Sequence, residues 1–138
     1  MIEKIRKHAG PPTPEKAAAI TAWLEEKKAA DLLALDLSAQ SAFTEGLILA
    51  SAASVRHAQG MADFILERCN AAKYEYLRME GYQAGRWILL DLNDIVVCLF
   101  QQEERRLYAL EELWPKAPVL YGSRRNGMPG REPEPTLV

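Results

Sequence analysis

The spacing of apolar residues changes several times along the chain, and each change marks an element. In residues 13–30, Ile20, Trp23, Leu24 and Lys27 recur every three or four positions and give one partly apolar helical face. Thr13-Pro14-Glu15 supplies the start: a hydroxyl cap, proline at the first position and a carboxylate at the positive end of the dipole. Residues 32–37 and 46–51 are short continuous apolar runs and predict two buried strands. The link between them has a polar break at 38–41 and is too short for a helical crossover, so the strands are expected to be antiparallel neighbours. Ser54 then caps a predicted helix to about Lys73, with Val55, Ala58, Ala62, Ile65, Cys69 and Ala72 as its core-facing stripe.

Residues 80–114 are the most informative stretch. After a short extended segment over 74–80, the runs 85–91 and 95–100 are apolar and are joined at Leu92-Asn93-Asp94. Two such runs across an Asn/Asp turn read as a β-hairpin, with the Asp94 side chain shaping the turn. A helix from about Glu103 to Leu113 follows. The order of elements predicts an α/β protein, α+β-like in its layout. A mixed sheet of about five strands carries helices packed on it, and its continuous apolar strands require cover on both faces. The expected organisation is a flexible N-terminus at 1–12, one domain at 13–120 and a disordered tail at 121–138, where glycine, proline and charge dominate.

Composition narrows the function. With 138 residues, 49% apolar and 26% charged, the chain has enough material for one well-filled core. Its net charge is −2, but residues 31–120 hold eight Lys/Arg against thirteen Asp/Glu, a net of −5. An acidic domain argues against direct, sequence-specific binding of nucleic acid and suits docking on a basic protein. No apolar run in the sequence serves as a signal peptide or reaches transmembrane length, which predicts a cytoplasmic protein without membrane association. Cys69 and Cys98 fall inside a helical and a strand pattern and read as buried free thiols; neither has zinc-site spacing.

Candidate chemistry is sparse. His8 and His57 have no Cys or Ser partner in a nucleophile arrangement. Asp91 and Asp94 stand three residues apart across a turn, whereas a metal pair on a strand takes alternate residues. The segment 50–54 joins a strand to a helix, as phosphate loops do, but lacks glycine and a following lysine. The charge run Glu103-Glu104-Arg105-Arg106 fits a solvated helix face. Trp87, Tyr108 and Trp114 suit either a core or the anchor of a protein interface. If Trp87, Leu89 and Asp91 share a strand face, that face combines aromatic, aliphatic and acidic groups, as a recognition surface does. No catalytic residue, metal or cofactor is expected.

Over roughly residues 15–114 the chain resembles the ribosomal silencing factor (Iojap-related) family. The resemblance rests on Glu80-Gly81, on Trp87-x-Leu89-x-Asp91-x-x-Asp94-x-Val96-Val97, and on Arg105-x-x-Tyr108-x-Leu110-Glu111-x-Leu113-Trp114. Leu35-Asp36-Leu37, Ile48-Leu49-Ala50-Ser51 and Ser54-x-Arg56 support it. The chain departs from the family pattern at Glu45-Gly46 (usually Asp-Tyr), Ala52-Ala53 (Gly-Thr), Cys98 (often His) and Ala109 (often Asp). The resemblance implies a nucleotidyltransferase-like fold without the carboxylates of the true enzymes. It also implies docking on the large ribosomal subunit through its fourteenth protein at the subunit-joining face, repression of translation by blocking the small subunit, and a homodimer when free. Trp87, Leu89, Asp91, Asp94, Arg105 and Tyr108 are the residues expected to meet the ribosomal partner. Two alternatives stand beside this: a dimeric adaptor with a target outside the ribosome, and a nucleotide transferase using Asp36, Asp91 or Asp94.

Overall fold

The two apolar runs expected to be neighbours form β1 (Ala30–Asp36) and β2 (Gly46–Ala52), paired antiparallel with Leu33 opposite Leu49 and Leu35 opposite Leu47. The computed structural model describes residues 11–124; the readings made of His8, of residues 1–10 and of residues 125–138 lie outside the described residues. Helix α1 (Thr13–Glu26) precedes β1, and helix α2 (Val55–Ala72) follows β2. Then come β3 (Arg78–Glu80), β4 (Trp87–Asp91), β5 (Ile95–Gln101), helix α3 (Gln102–Tyr108), a 3-10 turn (Leu110–Leu113) and β6 (Val119–Gly122).

The strands form one mixed sheet in the order β3-β4-β5-β2-β1-β6. At its centre β2 runs parallel to β5, with Leu49 opposite Cys98; the other neighbours are antiparallel. Six strands rather than about five result because β6 pairs with β1. The glycine that marked the start of an expected tail is itself required there. Gly122 has φ 79°, and a Cβ on it would stand 2.2 Å from the Leu32 carbonyl oxygen. Just beyond it, Arg124 donates to the carbonyl oxygens of Glu111, Trp114 and Ala117.

Three local expectations change. Helix α1 begins one residue early, with Pro12 at the N-cap position, because the Thr13 hydroxyl is taken by carboxylates rather than by the helix end. The helix expected over 103–113 breaks at Ala109, whose backbone is left-handed at φ 40°, ψ 51°, and continues only as the 3-10 turn. In the hairpin, Asp91 rather than Asp94 shapes the turn: its Oδ1 accepts from the Asn93 N–H at 2.9 Å, and Asn93 adopts φ 79°. At α2 the cap is as read, Ser54 Oγ accepting from the His57 N–H at 3.0 Å.

The sheet has two unlike faces. Helices α1 and α2 close one of them, where Ile20, Leu24, Ile48, Met61, Ile65, Ile88, Leu90 and Leu99 form a buried apolar core. On the other, Leu33, Leu35, Leu37, Leu47, Leu49, Cys98 and Phe100 are buried under α3, the 3-10 turn and the segment leading to β6. That cover stops short of the β4 end of the sheet, where Trp87, Leu89 and Val96 remain half-buried.

Candidate functional site

Strand alternation builds the open patch. Trp87, Leu89 and Asp91 occupy alternate positions of β4 and point to one face, half-buried, whereas Ile88 and Leu90 between them are fully buried on the other. Register adds Val96, Cys98 and Phe100 from β5, opposite Asp91, Leu89 and Trp87. It also adds Arg78 and Glu80 from the edge strand β3, opposite Asp91 and Leu89. The Trp87 ring packs on Phe100 and on Tyr108, both with centroids at 4.9 Å, and Tyr108 is 51% exposed. Tilted aromatic contacts at this distance add to what the burial of the rings contributes.

Gly81 shapes the rim. At φ 81°, with the Trp87 carbonyl oxygen 2.1 Å from where a Cβ would stand, no other residue fits. A shallow cavity of about 290 Å³ lies there, lined by Glu80, Gly81, Trp87 and Leu89. Charge borders it: Arg78 bonds Glu80 at 2.9 Å and stands 3.3 Å from Asp91, and Arg86 donates to Glu104 of α3 at 2.5 Å. Beneath the patch, burial pushes the Cys98 thiol up to about 11, against the lowering influence of the Trp87 indole and the Arg105 guanidinium. At neutral pH it is therefore an uncharged, apolar filler.

Of the six expected contact residues, the structure brings Trp87, Leu89, Asp91 and Tyr108 together and sends the other two inside. Asp94 is 2% exposed, with Oδ1 2.6 Å from Lys16 Nζ in a fully buried ion pair. Thr13 Oγ1 lies 2.6 Å from Glu45 Oε1 and 3.1 Å from Asp94 Oδ2, its single proton serving one of them. The result ties α1 to the hairpin turn. Arg105 is 1% exposed, and its Nη1 donates to the Asp31 carbonyl oxygen at 2.9 Å and to Ser51 Oγ at 3.1 Å. Both are corrections to the sequence reading. Charged residues on either side of a turn or on a short helix look exposed, and only the packing of α1 and the sheet covers them.

Sequence reasoning missed Lys16 and Phe100. Lys16 stands four residues before Ile20, on the buried face of α1, and that periodicity was the available signal. Phe100 was read only as part of a strand. The His57 and carboxylate readings also resolve. His57 Nδ1 accepts from the Ala53 N–H at 2.9 Å, and Nε2 lies 2.7 Å from the Lys27 carbonyl oxygen and so donates to it. The ring clasps the end of α1 to the start of α2, beside a larger cavity of about 580 Å³ on the helical face. Asp36 accepts from Ser38, Asp91 from Asn93, and Asp94 from Lys16. Among the described residues no group of three or more His, Cys, Asp or Glu is placed to hold a metal ion. Nor is any of their helices long and apolar enough to cross a membrane.

A family profile described as "Ribosomal silencing factor during starvation" matches residues 11–135. The ribosomal silencing factor of Bacillus subtilis is 35% identical over 95 residues, spanning 69% of this chain and 80% of the relative. A mouse relative named "Mitochondrial assembly of ribosomal large subunit protein 1" is 26% identical over 98 residues, 69% of this chain but 43% of its own length. Among solved structures, a Chromobacterium violaceum protein superposes with a TM-score of 0.75 at 25% identity, covering 84% of this chain and 92% of that one. A Bacillus halodurans protein does so at 0.66 and 32% identity, covering 73% and 94%. The chain belongs to the ribosomal silencing factor family.

Proposed function

We propose that this protein represses translation by docking on the large ribosomal subunit and excluding the small one. The contact is made by the open end of the sheet, with Trp87, Leu89, Asp91 and Tyr108 against the fourteenth large-subunit protein. The carrying observation is that this aromatic and acidic patch packs ring on ring yet is left uncovered, in a chain of the silencing-factor family. The name of the mouse relative, which refers to the ribosomal large subunit, supports the choice of subunit. The mechanism is steric. A body of 15.5 kDa seated on the joining face overlaps the incoming subunit, and exclusion requires no bond to be made or broken. An interface of roughly 800 Å² per partner is the usual size for specific binding. The net negative charge of residues 31–120 favours a basic partner and speeds encounter at low salt. Without the subunit, the free protein is a homodimer in this reading, which sedimentation velocity checks directly.

Co-sedimentation with isolated large and small subunits, followed by addition of the missing subunit, tests the proposal. The expected result is pelleting with large subunits alone and a reduced yield of joined ribosomes. The double variant Trp87→Ala, Asp91→Ala is expected to lose large-subunit binding while keeping the far-ultraviolet circular dichroism of the parent. Full retention of binding by that variant would reject this face as the contact.

A further inference from the structure

Helix α3 has seven residues, too few to persist on its own helical propensity. Something outside it must set where it lies, and with it where Tyr108 stands against Trp87. Polar bonds do this on one side. In β1 the register shifts between Ala30 and Leu33, and Asp31 adopts φ 51°. This irregularity turns the Asp31 carbonyl toward α3, and Arg105 Nη1 donates to it at 2.9 Å. The same nitrogen donates at 3.1 Å to Ser51 Oγ of β2, which is fully buried. Arg105 Nε stands 3.7 Å from Glu111 Oε1 of the 3-10 turn, and Gln102 of the same helix approaches the Asp31 carboxylate at 3.4 Å. One guanidinium thus joins β1, β2, α3 and the 3-10 turn. Three residues on, Tyr108 packs on Trp87 and Phe100.

We infer that Arg105 is a positioning residue of the contact face: it never touches the partner, but fixes α3 so that Tyr108 and Trp87 form one rigid surface. The inference rests on the proposed docking face, and it assigns a separate role to a residue whose motif spacing pointed to direct contact. The planar fork matters. A lysine keeps the charge, but its one nitrogen, placed to serve the Asp31 carbonyl and Ser51 as Nη1 does, leaves no second nitrogen beside Glu111 where Arg105 Nε stands at 3.7 Å.

The test uses a background carrying Trp23→Phe and Trp114→Phe, in which Trp87 is the remaining tryptophan of the chain. Arg105→Gln and Arg105→Lys are compared with Ser51→Ala, which removes an acceptor of the fork on β2. Two readouts are taken: Trp87 emission with acrylamide quenching, and co-sedimentation with large subunits. All three substitutions are expected to raise quenching of Trp87. Binding should fall about tenfold or more for Arg105→Gln, the size of effect seen when an interface anchor is lost, and less for Arg105→Lys and Ser51→Ala. Weakened binding with an unchanged Trp87 signal would mean that Arg105 contacts the partner, and would overturn the inference. Unchanged quenching and unchanged binding would overturn it as well. If Arg105→Gln does not fold, Ser51→Ala carries the same decision. Should the unsubstituted background fail to bind large subunits, the docking proposal falls, while the quenching comparison still decides whether Arg105 positions Tyr108.

Discussion

The two faces of the sheet are made from the same strands, yet they are finished differently. Along β4, Leu90 faces α1 and α2 and is 0% exposed, whereas its neighbour Leu89 faces the patch and is half-buried. The helical side is closed by two long helices and a buried ion pair; the other is closed only in part, by a seven-residue helix and a 3-10 turn. Cover is complete on the helical side, and the proposed recognition surface lies where cover stops. A polar bond serves each side differently. Lys16–Asp94 anchors a long helix to a turn, while Arg105 aligns a short helix beside an aromatic cluster.

The largest test of this contrast is Lys16→Ala. It removes the buried ammonium that Asp94 bonds at 2.6 Å, and removal of one partner from a buried pair costs about 3–5 kcal/mol. Urea unfolding should show that loss, and a Lys16→Met, Asp94→Asn pair should recover much of it. A cost below about 1 kcal/mol for Lys16→Ala would mean that the closed face does not depend on this tie. Next in size is the pair on β4. Leu90→Ala is expected to cost about 2–5 kcal/mol of stability, as other large-to-small core changes do. Leu89→Ala should cost about 1 kcal/mol, since it is already partly in water, but should weaken large-subunit binding where folded Leu90→Ala does not. Equal stability costs and equal binding would erase the distinction between the faces.

A smaller gain is expected at Ala109, whose backbone is left-handed. Alanine pays a steric penalty at φ 40°, which glycine escapes. Ala109→Gly should therefore stabilise the protein by about 0.5–1 kcal/mol, read as a raised urea midpoint. The smallest effect at neutral pH concerns the thiols. Burial raises both Cys69 and Cys98 from 9.0 to about 11, so the folded state holds these protons more tightly than the unfolded one. Their contribution is fully present below pH 9 and is lost as pH climbs through 11. Substituting each by alanine should flatten the decline in stability between those values, and thiol-labelling reagents at pH 7 should react only as fast as the protein opens. Rapid labelling of the native protein would show that either face admits solvent more freely than its packing implies.

Much of the fold was legible because it depends on local periodicity. The middle of the stripe on α2 (Ala58, Ala62, Ile65 and Cys69, though not its expected ends Val55 and Ala72, which are exposed), the Ser54 cap, the antiparallel β1–β2 pair and the hairpin all follow from spacings within a few residues of one another. The alternation Trp87, Leu89, Asp91 was equally readable, since a strand's two-residue repeat assigns its faces without reference to the rest of the chain. The sequence by itself therefore determined the class of fold, most element boundaries and the β4 side of the patch. Tertiary structure decided the parallel β2–β5 pairing, the recruitment of residues 119–122 as a sixth strand, and the burial of Lys16, Asp94 and Arg105. The physical reason is distance along the chain. Lys16 meets Asp94 across 78 residues and Arg105 meets Asp31 across 74, so no local pattern shows that such charges have partners waiting inside.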